Sequence, residues 1–306
     1  MSFEWKGVFP ALLTPFRQDD TLDMKIFQMN LDAQVEAGIR GVIIGGSLGE
    51  ASVLTIEEKE TLVRFAASRS SNSFPVLMNI AEGSTKEAVR QAELAKQWGA
   101  AGLMILPPMR YKTDHRETLC FFKTVAAATP LPIIIYNNPV DYKTEVTLEM
   151  FDELSEFPTI QAVKESTRDI SAVTRMINRF GNRFKILCGV DTIAMEELLM
   201  GADGWVAGLG DAFPRETVAI YCLIKDGRIA EAREIFRWFL PLLELDIHSK
   251  LVQYIKLAAT RMGIGSEYVR APRLGLIGEE RERILHIITT AINSRPALPD
   301  YHNTKR

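Results

Sequence analysis

Cysteine is scarce: Cys120, Cys188 and Cys222 stand far apart in 306 residues, with no CxxC pair. That excludes a disulfide framework and a thiolate zinc site. The four histidines, His115, His248, His286 and His302, share no ligand spacing, so no metal is expected. Neither sign of charge dominates, since 36 Lys plus Arg meet 39 Asp plus Glu for a net of −3. Such a field recruits neither nucleic acid nor an anionic membrane. No apolar run approaches the ~20 residues that span a bilayer. The start, Met1-Ser2-Phe3-Glu4-Trp5-Lys6, lacks the basic and apolar regions of a secretory signal. A cytoplasmic protein is expected. The first strand pattern ends Leu13-Thr14-Pro15-Phe16 without a GxGxxG loop, which argues against a nucleotide cofactor.

What is present is a globular balance, 47% hydrophobic and 25% charged. Short β-type runs, rich in Val, Ile and Leu, recur between helical patterns. They fall near Val8–Leu13, Val42–Gly45, Val76–Asn79, Leu103–Leu106, Ile133–Tyr136, Ile160–Lys164, Lys185–Cys188 and Trp205–Ala207. Continuous apolar strands suit a parallel sheet covered on both faces. Between them, Met24–Ala37 places Met24, Phe27, Leu31 and Val35 on one helical stripe. Thr55-Ile56-Glu57-Glu58 opens another helix with capping-box chemistry. Thr85–Trp98, His115–Ala128, Thr147–Phe157 and Ile170–Arg179 follow the same plan. Eight strand–helix units predict an α/β fold, a (β/α)8 barrel, over residues 1–225. Residues 226–295 show no strand pattern, and a small C-terminal helical domain is predicted over 226–306. Its helices are expected over Ile229–Phe239, Leu242–Met262 and Glu279–Ile292.

Active sites of such barrels lie where strands end and loops begin. Strand six ends in Lys164-Glu165-Ser166. Burial there disfavours an ammonium and yields a nucleophilic amine, unless the side chain merely reaches out to water. Strand five ends in Tyr136-Asn137-Asn138-Pro139. Its tyrosine either passes protons at the barrel mouth or fills the core. Strand two ends in Gly45-Gly46-Ser47-Leu48-Gly49-Glu50, where successive amides can cradle a carboxylate or simply make a tight turn. Together the three ends supply imine chemistry on a small 2-oxo acid. Gly189 and Gly208 end strands seven and eight and are candidates for substrate approach. Asp191 is read equally as a pocket residue or a helix cap, Glu50 as a brace for its turn, Trp205 as core, and His248 as helix surface.

These motifs resemble the dihydrodipicolinate synthase / N-acetylneuraminate lyase family of Schiff-base barrels, from Gly7–Phe16 through Gly189-Val190-Asp191 to the helical C-terminus. The matching segments are Gly46–Glu50, Tyr136–Pro139 and Lys164-Glu165. The resemblance implies Lys164 as the imine-forming residue, Tyr136 as proton shuttle and Ser47 as a relay hydroxyl. Gly46 and the amides of Ser47 and Leu48 would hold the substrate carboxylate. It implies no cofactor beyond the covalent imine, and a homotetramer (dimer of dimers) or homodimer.

The departures bear on the substrate. Synthases of this family carry two threonines where Ser47 and Leu48 stand, an arginine where Asp141 stands, and a relay tyrosine at the position of Arg110. Tyr111 could replace that tyrosine only if its loop shifts. Asp141 would repel a second carboxylate substrate. The combination with Asp141-Tyr142 is most similar to the 1-pyrroline-4-hydroxy-2-carboxylate deaminase branch, which yields 2-oxoglutarate semialdehyde and ammonia. Arg110, Asn138 and Asp141 are then candidate substrate selectors. The alternatives are 4-hydroxy-tetrahydrodipicolinate synthase, a 2-keto-3-deoxy sugar-acid or N-acetylneuraminate-type aldolase, and a silent barrel that binds a small acid.

Overall fold

The computed structural model describes residues 3–71, 73–108 and 111–301. The chain alternates strand and helix: β1 Gly7–Pro10, α1 Met24–Ala37, β2 Val42–Ile44, α2 Ile56–Ala67, β3 Val76–Ile80, α3 Thr85–Gln97 and β4 Gly102–Ile105. It continues with α4 His115–Ala128, β5 Ile133–Asn137, a short α5 Pro139–Tyr142, α6 Leu148–Leu154, β6 Ile160–Glu165 and α7 Ser171–Phe180. The last units are β7 Lys185–Cys188, α8 Ala194–Leu199, β8 Gly204–Ala207 and α9 Pro214–Lys225.

All strand pairs are parallel, in the order β1-β8-β7-β6-β5-β4-β3-β2. This is the expected (β/α)8 barrel. The first strand is shorter than predicted because the chain changes partner after Pro10. Pro10 pairs with Ala207 on β8, whereas Ala11 bridges to Ile43 on β2 and the Leu12 amide donates to the Ile43 carbonyl (2.9 Å). That switch brings the two edges of the sheet together. Nearly every strand residue is buried, as sheet faces covered by side-chain layers and helices require. The predicted capping box is present: Thr55 Oγ1 accepts from the Glu58 amide (3.2 Å), and Glu58 Oε2 accepts from the Thr55 amide (3.0 Å).

Three further helices follow, α10 Ile229–Leu243, α11 Leu251–Arg261 and α12 Gly278–Asn293. Phe213 meets Trp238 and Phe239 on α10 with centroids 6.1 and 5.6 Å apart, and Trp238 Nε1 donates to the Ala291 carbonyl on α12 (3.0 Å). The helix expected over Leu242–Met262 is two helices. The chain makes a single 3-10 turn over Glu244–Ile247 and becomes extended at His248 (φ −102°, ψ 152°). His248 Nδ1 then accepts from the Lys250 amide (3.1 Å), which helps α11 start afresh. His248 therefore sits in a connection rather than on a helix. The break turns Leu245 into the core and puts Asp246 at the barrel mouth.

Candidate active site

Adjacent registers on β5 and β6 place Tyr136 beside Lys164. Both are buried, and Lys164 Nζ lies 3.9 Å from the centre of the Tyr136 ring. Burial pulls the Lys164 ammonium below its ordinary value, opposed in part by Tyr142, Asp246 and Asp191. The same loss of solvent pushes the Tyr136 phenol up to about 12, against a hydrogen bond from Asn138 Nδ2 (3.1 Å). Ser166 Oγ is near enough to bear on that phenol but forms no hydrogen bond of normal geometry.

Gly189 makes the lysine's position possible. A Cβ there would stand 2.0 Å from Ser166 Oγ and 2.7 Å from Lys164 Cγ. Gly208 does the same for Asp246, whose Oδ1 lies 2.3 Å from where a Gly208 Cβ would be. The room at both glycines is thus filled by the protein's own side chains.

The strand-two loop turns through Gly45 (φ 71°) and Glu50 (φ 53°). The Asn79 side chain donates to the Gly45 carbonyl (2.9 Å), and Thr14 Oγ1 donates to the Gly49 carbonyl (2.8 Å). Among the described residues, no protein acceptor takes the Ser47 or Leu48 amide. They remain available to a carboxylate. A Cβ on Gly46 would make only ordinary contacts, with Met104 and Ala11. Glu50 braces the turn: fully buried, it pairs with Lys256 Nζ of α11 at 2.5 Å and accepts from the Arg270 amide (3.2 Å).

At the rim, Asn138 caps α5, its Oδ1 accepting from the Asp141 amide (3.1 Å), while its Nδ2 also reaches Asp141 Oδ2 (2.7 Å). Asp141 is half-exposed and faces Arg168, a residue in left-handed backbone (φ 64°), at 3.8 Å. Arg110 lies outside the described residues. Tyr111 is exposed and donates to Glu117 (3.1 Å), away from the cavity.

Sequence reasoning missed two of the groups found here and left a third open. Tyr142 shares a 2.7 Å hydrogen bond with Ser47 and meets Tyr136 edge-on, 5.5 Å between centroids. It was visible only as the neighbour of Asp141. Asp246 lines the cavity from a segment read as continuous helix. Asp191 does not cap its own helix; its carboxylate crosses to β8, accepting from Trp205 Nε1 (2.8 Å), the Gly208 amide (3.1 Å) and the Leu209 amide (2.7 Å).

These groups enclose about 80 Å3, lined by Lys164, Tyr136, Ser47, Leu48, Asp141 and Asp246 among others. A cavity of about 580 Å3 lies beyond Ser47 and Tyr142, but its lysine, Lys59, is paired with Glu82 at 3.3 Å. Of these two cavities the smaller joins a buried amine, which makes no ion pair among the described residues, to hydroxyls and carboxyls, the set that can add to a carbonyl carbon and move protons. Among the described residues no cluster of His, Cys, Asp and Glu could hold a metal, and no helix is long and apolar enough to cross a membrane.

A parallel barrel with a lysine at the mouth of strand six defines a class, and sequence comparison gives the family. Residues 4–291 match the Dihydrodipicolinate synthetase family, and the chain belongs to it. The 4-hydroxy-tetrahydrodipicolinate synthase of Exiguobacterium sibiricum is 29% identical over 286 residues, covering 94% of this chain and 97% of that protein. The solved dihydrodipicolinate synthase of Aquifex aeolicus is 28% identical with a TM-score of 0.88, over 94% of this chain and 98% of that one. A prophage protein of the family from E. coli K12, solved in complex with pyruvate, is 25% identical with a TM-score of 0.87, over 94% and 99% of the two chains.

Proposed function

We propose that this chain is a lysine Schiff-base enzyme acting on a small cyclic 2-imino acid, a 1-pyrroline-4-hydroxy-2-carboxylate deaminase. Lys164 adds to C2 of the ring imine, and cleavage of the bond from C2 to the ring nitrogen frees that nitrogen as an amine on C5. The Ser47 and Leu48 amides hold the carboxylate. Loss of a C3 proton, relayed by Tyr136, leaves its electron pair in a C2=C3 enamine. That pair moves to C3=C4 as the C4–O bond breaks. Isomerisation gives an imine at C5, which water hydrolyses to the aldehyde and ammonia. A second water releases the product from Lys164. One water leaves and two enter, so the sum is substrate plus water giving 2-oxoglutarate semialdehyde plus ammonia.

The observation that carries this reading is the charge at the mouth. Asp141 lines it, and Arg168 at the same mouth already faces Asp141 at 3.8 Å. A second carboxylate-bearing substrate, which a synthase needs, meets repulsion there. Leu48 and Met104 supply an apolar wall that suits a pyrroline ring better than a sugar acid. The pyruvate complex of the E. coli relative supports recognition of a 2-oxo or 2-imino acid.

Two assays run in parallel test the reading: ammonia release from 1-pyrroline-4-hydroxy-2-carboxylate, and condensation of pyruvate with a second aldehyde acid. Ammonia without condensation supports the deaminase. Condensation without ammonia makes the chain a synthase like its named relatives. A homotetramer or homodimer is proposed from the family resemblance, and the exposed Leu274 and Ile277 are suitable interface residues. Sedimentation of the purified chain as a monomer would reject that assembly.

A further inference from the structure

We infer that Asp246, contributed by the helical layer rather than by a barrel strand, is the catalytic acid that protonates the departing C4 oxygen. This rests on the deaminase reading and assigns a step within it. The elimination needs a proton donor, because hydroxide is a poor leaving group. Asp246 lies in the same cavity as Lys164 and Tyr136, on the wall made by the Glu244–Ile247 turn. The fold makes room for it: Gly208 has no side chain where Asp246 Oδ1 sits, 2.3 Å from the position a Cβ would take.

The neighbouring carboxyl is unsuited to the task. Both oxygens of Asp191 are engaged, Oδ1 by Trp205 and Gly208, Oδ2 by Leu209 and Gly208. Such a group is a fixed acceptor. Asp246 receives no hydrogen bond and forms no ion pair within 4 Å among the described residues. Enclosure and the nearby Asp191 push its carboxyl well above the usual range, with Lys164 acting in the opposite direction. A carboxyl whose proton is held more firmly than usual, and which no neighbour hydrogen-bonds among the described residues, is suited to give that proton to a departing oxygen.

The step balances. As the C4–O bond breaks, its electrons stay on oxygen and the Asp246 proton completes a water molecule. The proton taken from C3 passes along Tyr136 and returns to the Asp246 carboxylate, so the carboxyl is restored.

The test uses the full-length enzyme, the pyrroline acid, and two readouts: ammonia release and the borohydride-reduced adduct on Lys164. In Asp246→Asn, ammonia release should fall about 100-fold or more while the adduct still forms. Gly208→Ala, whose new methyl displaces Asp246, should show the same split, and it decides the matter if Asp246→Asn does not fold. Ammonia release within a few-fold of the parent in Asp246→Asn overturns the assignment and leaves the deaminase reading intact. Joint loss of adduct and ammonia in both variants also overturns it, by showing a role before elimination. No ammonia from the parent enzyme overturns the deaminase reading, and the assignment falls with it.

Discussion

The nucleophilic role proposed for Lys164 requires that its proton be easily lost, and burial acts in that direction. Its ammonium lies below the ordinary lysine value of 10.5, because solvent is removed faster than the nearby carboxyls compensate. The rate of imine formation should therefore rise with pH and level off below pH 10.5, as stopped-flow or quenched borohydride trapping would record. A plateau that appears only at or above that value would show an unperturbed amine. Tyr142 offers a second residue-level test. Its hydroxyl bonds Ser47 within the same chain, where synthases were expected to use a tyrosine at the Arg110 position. Tyr142→Phe should lower kcat about 10- to 100-fold with little change in KM, whereas Tyr111→Phe should leave both near the parent values. The barrel-end residues were legible because a lysine, a tyrosine and a glycine-rich turn are unusual at strand ends. Tyr142 and Asp246 were not, since their positions at the cavity depend on turns that carry no periodicity.

At the scale of elements, the strand-two loop and α11 are joined by one buried ion pair, Glu50 with Lys256 at 2.5 Å, both fully buried. Burial lowers the Lys256 ammonium to about 8 despite Glu50, so the pair sits in a strongly desolvated place. Removing Lys256 leaves the buried Glu50 carboxylate with the Arg270 amide and the partly exposed Arg273, 3.7 Å away, in place of its close partner. Lys256→Met should cost about 3–5 kcal/mol in chemical denaturation, and adding Glu50→Gln should recover much of it. A loss near zero for the single variant would show that the pair is not what anchors the loop. The sequence pattern located every strand and most helices, because apolar strands and amphipathic helices have different periods. It ran Leu242–Met262 together because the apolar spacing continues through the break, while the break itself is set by tertiary demands. Leu245 turns into the core, and Asp246 must reach the barrel mouth. The end of β1 was misplaced for a related reason: Ala11 and Leu12 stay extended but change partner to β2.

Over the whole molecule, the barrel carries a buried acid, Glu197, that forms no ion pair among the described residues. Glu197 is fully buried on α8, its carboxyl oxygens have no hydrogen-bond partner of normal geometry among the described residues, and burial pushes it from 4.5 to about 8 against a weaker opposing effect of the Cys188 thiol. The native state then keeps this proton where the unfolded chain releases it. Its contribution is complete below pH 4.5 and is lost as pH rises toward 8, at about 1.4 kcal/mol per pH unit. Glu197→Gln should flatten the fall in stability over that range in denaturant titrations at several pH values; an unchanged slope would place the pH dependence elsewhere. The barrel presents a buried amine, Lys164, that forms no ion pair among the described residues, in a small cavity beside Tyr136 and Asp246, and that arrangement is the basis for the proposed chemistry. The most direct measurement is peptide-mapped mass spectrometry after borohydride reduction with 1-pyrroline-4-hydroxy-2-carboxylate, alongside Lys164→Ala. A single adduct on Lys164, absent from the variant and accompanied by ammonia from the unreduced enzyme, is the expected result. No adduct on Lys164, or an equal adduct in Lys164→Ala, would contradict imine formation at this residue.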